Sequence, residues 1–402
     1  MQKTIGIGLM SGTSLDGIDA VLVELEGSGD NIDAKIIDTL TKQYSKEVRE
    51  EILKLCSPDT ADLQKICSMN VFLAREFSLA VFELLEKANV SNNEVDFISS
   101  HGQTIYHHPF QGDDKVDVPG TLQIGDLSVL SEETGIAVVG DFRTADMAVN
   151  GQGAPLVSYV DYLLFSSNLK SRAIQNIGGI GNVTYIPKKS SKDSIRSFDT
   201  GPGNMVIDEI ISRITSGNES YDKNGKMAYL GTINQELLNN LMEHEYFSLA
   251  PPKTTGRELF GKTYVDNILN KFSHIKPEDL VTTISEWTVV SIVHSYREFL
   301  EKADYQIDEV IVGGGGSYNS YLLERLKHHL PNTEVHTHEQ FHISSDFKEA
   351  LAFAILGYQC IHANYNQIPS ATGSDRPVIM GKIAYTQPEA FNRMDSSRRG
   401  LK

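Results

Sequence analysis

Hydroxyl-bearing and glycine residues are concentrated in MSGTSLDG, residues 10–17, between an apolar arm at 5–10 and a β-branched arm that follows. Ser11, Thr13 and Ser14 supply hydroxyls, Asp16 a carboxylate, and Gly12 and Gly17 a backbone free to turn and to come close to a ligand. Successive N–H groups in such a turn can point at oxyanions, so the composition suits a phosphate cradle. A Gly/Ser/Asp turn between two core strands has the same composition, and this stretch alone does not separate the two.

Further stretches carry related chemistry. IGGIG at 177–181 is a second glycine turn between an apolar strand pattern and its return, and DTGPG at 199–203 places Asp199 where a strand is expected to end, just before a helix. A helix N-terminus favours anions through its free N–H groups and dipole, although an aspartate there can equally be a turn or cap residue. Four glycines at 313–316 separate a buried strand pattern from a helix, and each adds chain entropy that folding must overcome. A planar or phosphorylated ligand approaching the backbone accounts for them better than packing alone. Arg143 and Asp146, amid glycines between a strand and a helix, are either a surface ion pair or a substrate wall. Glu349 lies near the start of the last clear helix.

Two motifs mislead. His101, His107 and His108 fall within eight residues, but no nearby Cys or carboxylate completes a tetrahedral metal set, and adjacent histidines point apart on an extended backbone. A polar loop at a strand C-terminus is the better reading. GRELFGKT at 256–263 matches a Walker A pattern letter for letter, with Lys262 and Thr263 in place. Two prolines stand just upstream at 251 and 252, where a true phosphate loop requires a buried strand.

The elements that must position these residues fit an α/β chain. At 402 residues the chain exceeds what one hydrophobic core usually organises, so two domains are expected, 1–150 and 151–365, with the tail at 366–402 returning to the first. Strands are expected at 5–10, 18–25 and 33–40, helices at 46–56 and 62–88, a buried strand at 95–100 and another at 136–139. The second half restarts the pattern with a hairpin at 172–187 and a strand at 195–198, and adds a long amphipathic helix at 276–302. The formal net charge of −17, with basic residues scattered, disfavours nucleic acid and anionic membranes as partners. Three cysteines without metal spacing fit a reducing compartment. The absence of a signal pattern and of an apolar run long enough to span a bilayer points to the cytoplasm.

Taken in order, the two phosphate-type hairpins, the Asp-Thr-Gly turn and the strand-GGGGS-helix unit resemble the ATPases of the hexokinase, actin and heat-shock-chaperone superfamily. The motifs MSGTSLDG (10–17), HGQT (101–104), GQGAP (151–155), NIGGIGN (176–182), FDTGPGN (198–204), PPKTTGRE (251–258) and VGGGG (312–316) are similar, over nearly the whole chain, to anhydro-N-acetylmuramic acid kinases. The resemblance implies two actin/hexokinase-like (ribonuclease-H-like) domains with a nucleotide cleft between them, and a possible homodimer. It implies a kinase using ATP and Mg²⁺ that opens 1,6-anhydro-N-acetylmuramic acid with water and phosphorylates the freed O6, giving N-acetylmuramic acid 6-phosphate and ADP in cell-wall recycling. A sugar kinase of the same fold with another acceptor, and a non-catalytic actin-type ATP-binding protein, are the alternatives.

Asp199 matches the family's catalytic aspartate. Ser11, Gly12, Thr13, Ser14, Asp16, Gly17, Gly178, Gly179, Gly181 and Gly201 are implied at the ATP phosphates, and Gly313, Gly314, Gly315 and Gly316 at the nucleoside. Gln103, Thr104, Arg143, Asp146 and Glu349 are the candidates for the sugar. Met10 stands where related hairpins carry a metal-orienting aspartate, which leaves the Mg²⁺ ligands open: Asp16, Asp199, or ATP oxygens and waters.

Overall fold

The computed structural model describes residues 3–399 other than 13, 14, 16, 113, 190, 252 and 304. In chain order the strands are β1 (Thr4–Ser11), β2 (Gly17–Ser28), β3 (Asn31–Gln43), β4 (Phe97–His108), β5 (Gly120–Ile124), β6 (Val138–Gly140), β7 (Arg172–Ile177), β8 (Ile180–Ile186), β9 (Arg196–Pro202), β10 (Glu309–Gly313), β11 (Glu334–Thr337) and β12 (Lys382–Ala384). The chain divides into two compact units: Met1–Leu163 with Phe347–Lys402, and Leu164–Asp346.

In the first unit the sheet runs β12-β6-β4-β1-β2-β3, with β5 hydrogen-bonded to β4. β1, β2 and β3 form an antiparallel meander, while β4 and β6 add in parallel. Burial patterns explain the placing: β3 alternates between exposed and half-buried residues, as an outer strand does, whereas Ile7, Leu22, Ile98 and Val138 are fully buried. The helix Leu63–Ala88 lays Phe77, Val81 and Leu84 into that core. It begins where the Asp62 carboxylate caps the Lys65 N–H and ends at Asn89 in the left-handed region, φ 54°. The helix Lys348–Ile361, apolar almost all round, is buried from Ala350 to Ile361. Its close fit on β1 needs Gly8, where a Cβ would stand 1.9 Å from the Ala350 carbonyl oxygen.

In the second unit the order is β11-β10-β7-β8-β9. β7, β8 and β9 are again an antiparallel meander, and β10 and β11 again join in parallel. The helix Pro277–Phe299, started by a proline at its first turn, buries Trp287 and Tyr296 completely. Both units thus share one topology: three antiparallel strands in the order third-second-first, then two parallel strands beyond the first. This is the ribonuclease-H-like fold of actin/hexokinase-like ATPases, repeated within one chain.

Three local expectations differ. β4 does not stop before His101 but continues to His108, because a bulge at residues 101–102, with Gly102 at φ 74°, carries the pairing onto β5. β9 likewise continues past Asp199 to Pro202. The tail is ordered: β12 pairs antiparallel with β6, and a helix spans Pro388–Arg399. Among the described residues no helix is long and apolar enough to cross a membrane.

Candidate active site

In the first unit the polar candidates gather at the ends of β1, β4 and β6. Ser11 is buried and its hydroxyl lies 2.6 Å from Gln103 Oε1 and 2.9 Å from the Tyr44 hydroxyl. Gln103 is fully buried, and its Nε2 donates to the carbonyls of Thr104 (3.0 Å) and Gly12 (3.4 Å). Its side chain is thereby a strut beneath the turn that follows β1, rather than a group turned to solvent. Thr104 accepts from Gln123 Nε2 at 3.1 Å. Gly17 opens β2 against β3, where a Cβ would meet the Lys42 carbonyl oxygen at 2.3 Å. Thr13, Ser14 and Asp16 lie outside the described residues.

Arg143 and Asp146 sit on one short helix, Arg143–Met147, but do different work. Asp146 is fully buried and accepts from Gly153 N–H (2.7 Å), Thr372 Oγ1 (2.7 Å) and Gln367 Nε2 (2.5 Å), so it ties the GQGAP loop to the tail. Arg143 donates through Nη1 to the Gly153 carbonyl (2.6 Å) and through Nη2 to His101 Nε2 (2.9 Å). The His101 Nδ1 lies 2.9 Å from the Gly102 carbonyl, which makes Nδ1 the protonated nitrogen and leaves Nε2 to accept from Arg143. Burial, aided by the Arg143 charge, pushes His101 down to about 3, so it is neutral. Burial also lowers the Arg143 guanidinium to about 10, opposed by Glu349 and Asp146, and it stays a cation at neutral pH. Glu349 is solvent-exposed, yet the protein around it raises its carboxyl above the usual range, with Lys348 and Arg143 pulling the other way.

The three histidines form no metal set: His101 is bound to Arg143, His107 Nδ1 is 3.0 Å from Thr121 Oγ1, and His108 Nε2 is 3.2 Å from Asp117 Oδ1.

In the second unit Asp199 is half-buried in β9 opposite Asn182, beside a bulge created by the extra residue Thr200. Bulges of this kind re-aim side chains next to functional sites. Its Oδ2 accepts the Thr255 N–H (2.9 Å), its N–H donates to the Lys253 carbonyl (3.0 Å), and its own carbonyl accepts the Tyr246 hydroxyl (2.7 Å). The turn after β7 does not leave the next helix N-terminus free as expected. The Gly178 carbonyl accepts the Asn204 N–H (2.7 Å) and the Gly179 carbonyl accepts the Met205 N–H (3.1 Å).

The glycines separate into two kinds. Gly313 faces the His338 ring, where a Cβ would sit at 1.9 Å, Gly316 faces Ile177 at 2.4 Å, and Gly314 has φ 75° with Asn176 Oδ1 at 2.5 Å. Gly181 and Gly201 are crowded by Thr200 and Phe247, at 2.7 and 2.9 Å. Packing therefore explains these five. Gly178, Gly179 and Gly315 are different: none has a positive φ, and a Cβ would find its nearest neighbour at 3.4, 3.6 and 3.6 Å. No protein contact requires glycine at those three, which suits a backbone approached by something outside the chain.

The Walker-like stretch is no phosphate loop. Among the described residues no strand immediately precedes Gly256, and Lys262 is exposed at the start of the helix Lys262–Lys271. Its neighbours upstream, Lys253 and Thr255, are instead the partners of Asp199. The sequence marks Lys253 and Thr255 only as part of the PPKTTGRE motif and His101 only as part of a polar loop, and it gives no sign of Tyr246.

Among the described residues one group could hold a metal ion, Glu309, Glu334 and His336. It is already neutralised by Lys170 (2.5 Å to Glu309, 3.1 Å to Glu334) and Arg172 (2.7 Å to Glu309), and lies at the opposite end of β10 from Gly313.

The sequence matches the family described as anhydro-N-acetylmuramic acid kinase over residues 4–386. It is 47% identical over 386 residues to the anhydro-N-acetylmuramic acid kinase of Caldanaerobacter subterraneus subsp. tengcongensis, covering 95% of this chain and 97% of that protein. It is 46% identical over 377 residues to that of Clostridioides difficile, covering 94% and 97%. To that of Bacillus cereus strain G9842 it is 45% identical over 380 residues, covering 94% and 98%.

Proposed function

Because this chain belongs to the anhydro-N-acetylmuramic acid kinase family, we propose that it uses ATP to convert 1,6-anhydro-N-acetylmuramic acid and water into N-acetylmuramic acid 6-phosphate and ADP. The observation that carries the reading is the family match from residue 4 to residue 386, which takes in Asp199 and every glycine turn described above. We place Asp199 as the general base. Its carboxylate takes a proton from water as the water oxygen bonds to the anomeric carbon. The C1–O6 bond breaks, and O6 bonds to the γ-phosphorus as ADP leaves. A backbone donor on Oδ2 supports this role, because it fixes the orientation of the carboxylate.

We assign residues 11–17, Gly178 and Gly179 to the phosphates and Gly315 to the nucleoside. Their support is that a Cβ at the last three would make only ordinary contacts, so packing does not require glycine there. Arg143 and Glu349 are assigned to the sugar, the cation to the carboxylate of its lactyl group, with Thr104 beside them. Gln103 and Asp146, whose side chains are spent on the protein itself, would act by holding the turn at Gly12 and the loop at Gly153. Mg²⁺, when bound with ATP, would neutralise phosphate charge. A partly exposed carboxylate such as Asp199 suits an ion that takes one or two protein ligands and keeps the rest as phosphate oxygens and water. We place the protein in the cytoplasm, the compartment of ATP.

Incubation with ATP, Mg²⁺ and the anhydro-sugar tests the reading. Stoichiometric ADP and an O6-phosphorylated sugar are expected. ADP release that ignores the sugar, or transfer only to another sugar, would refute it.

A further inference from the structure

We propose that His101 is a positioning residue for Arg143, holding the guanidinium so that two of its N–H groups and its charge are kept for the carboxylate of the acceptor sugar. This rests on the reading of Arg143 as the cation that meets the sugar. The hold is made by direct contacts. His101 Nε2 lies 2.9 Å from Arg143 Nη2 and 3.3 Å from Nε, so it takes the edge of the guanidinium that Nε and Nη2 share, while Nη1 donates to the Gly153 carbonyl at 2.6 Å. Of the five N–H groups of an arginine, one on each Nη is then left, and among the described residues neither has a partner. Two such N–H groups in one plane match the two oxygens of a carboxylate.

Both supports are themselves fixed. His101 is 5% exposed in the bulge of β4, with Nδ1 2.9 Å from the Gly102 carbonyl and its ring tilted against that of Phe353, 4.7 Å between centroids. Gly153 stands at φ 70° and donates its N–H to the buried Asp146 carboxylate at 2.7 Å, which sets the direction of its carbonyl. Both supports are also uncharged. A carboxylate in place of the imidazole would hold the guanidinium as firmly, but it would neutralise it and compete with the anion of a ligand. A neutral ring nitrogen and a carbonyl aim the group and leave its charge in place. Asp146 and Glu349 are close enough to act on that charge, yet neither hydrogen-bonds to the guanidinium. Packing alone does not require histidine here, because phenylalanine would fill the same space against Phe353 without burying a ring nitrogen.

The test uses the full-length enzyme with His101→Phe, His101→Gln, Arg143→Met and the double variant His101→Phe/Arg143→Met, reading kcat and the KM for the anhydro-sugar and for ATP. His101→Phe should raise the KM for the sugar about tenfold and leave the KM for ATP within about threefold. His101→Gln, whose amide oxygen can accept where Nε2 does, should bring the sugar KM back to within about threefold of the wild type. On top of Arg143→Met, His101→Phe should add no more than about twofold, because a residue that acts through another has nothing left to act upon. A wild-type sugar KM in His101→Phe, or full multiplication of the two effects in the double variant, overturns the proposal. If His101→Phe does not fold, Arg143→Lys decides the matter, since lysine keeps the charge but has no planar fork to be held by His101 and Gly153. Its sugar KM should lie within about threefold of that of Arg143→Met, and a wild-type value overturns the proposal. A wild-type sugar KM in Arg143→Met overturns the assignment of the cation, and the proposal with it. Failure of the functional reading shows separately, as ADP release by the unaltered enzyme that ignores the sugar.

Discussion

Thr255 donates its backbone N–H to Asp199 Oδ2 at 2.9 Å, so a residue of a loop holds one oxygen of a carboxylate carried by a strand. A backbone donor has no side chain to be lost by mutation. Thr255→Ala should leave turnover within about threefold, whereas Thr255→Pro deletes the donor and should lower kcat at least about tenfold. Steady-state kinetics on the two variants decides it, and equal effects would mean that the bond has no bearing on turnover.

Asp199→Asn keeps the size of the side chain but cannot accept a proton. A general base contributes ~10² to 10⁴ in rate, or roughly 3 to 5 kcal/mol of barrier. That loss of kcat is expected with nucleotide affinity little changed, as measured by turnover and by titration calorimetry with an ATP analogue. Retention of more than about a tenth of normal turnover would move the base elsewhere, with Glu349 next to test.

Arg143 is aimed by His101 Nε2 (2.9 Å) and the Gly153 carbonyl (2.6 Å). Its replacement by Met should raise the KM for the sugar about ten- to a hundredfold, as expected for a charge-assisted contact, and leave the KM for ATP within about threefold. The reverse pattern would reassign Arg143 to the nucleotide.

Asp146, fully buried with three donors upon it, should behave differently from Arg143. Asp146→Ala strands those donors and should cost about 2 to 4 kcal/mol in denaturant unfolding. Unchanged stability with a raised sugar KM would show direct contact with the sugar instead.

Two groups give stability opposite pH slopes. His101 is held near 3 against 6.5 when unfolded, so the unfolded chain binds more protons between those values and its contribution is lost as pH falls through that window. Asp208, raised to about 7 from 3.8 by burial and by Asp222, binds its proton more tightly in the folded state, and that contribution is lost as pH rises from 3.8 to 7. Against the wild type, His101→Asn should lessen the fall of unfolding temperature toward acid, and Asp208→Asn should lessen its fall toward neutral pH. Parallel pH profiles for all three proteins would contradict both signs.

Lys262 offers a control on motif reading. Lys262→Ala should leave the KM for ATP within a few-fold, because the lysine is exposed and follows no strand. A loss of more than about a thousandfold in turnover would restore the phosphate-loop role.

The elements were legible where periodicity is strong. The helices Leu63–Ala88 and Pro277–Phe299 and the hairpins β1–β2 and β7–β8 follow from apolar spacing, caps and turn glycines, all of which act within a few residues. The continuation of β4 past Gly102 was not, because a bulge is stabilised by a partner strand, and β5 lies more than ten residues further on. The glycine run 313–316 shows the same limit. Its composition announced a ligand, but His338 and Ile177 crowd Gly313 and Gly316 from other strands and turns, and only Gly315 combines an ordinary φ with room for a Cβ.

By itself the sequence determined the α/β repeat and the family and marked Asp199 as a candidate, since these rest on local periodicity and on contiguous motifs. Tertiary structure alone decided what surrounds Asp199 and Arg143. Lys253 and Thr255 reach Asp199 across more than fifty residues, and His101 reaches Arg143 across about forty. Such contacts form because β9 and β4 pair with their neighbours and bring remote loops to the same place, and the energy of that pairing is spread over whole sheets rather than written in any short stretch of chain.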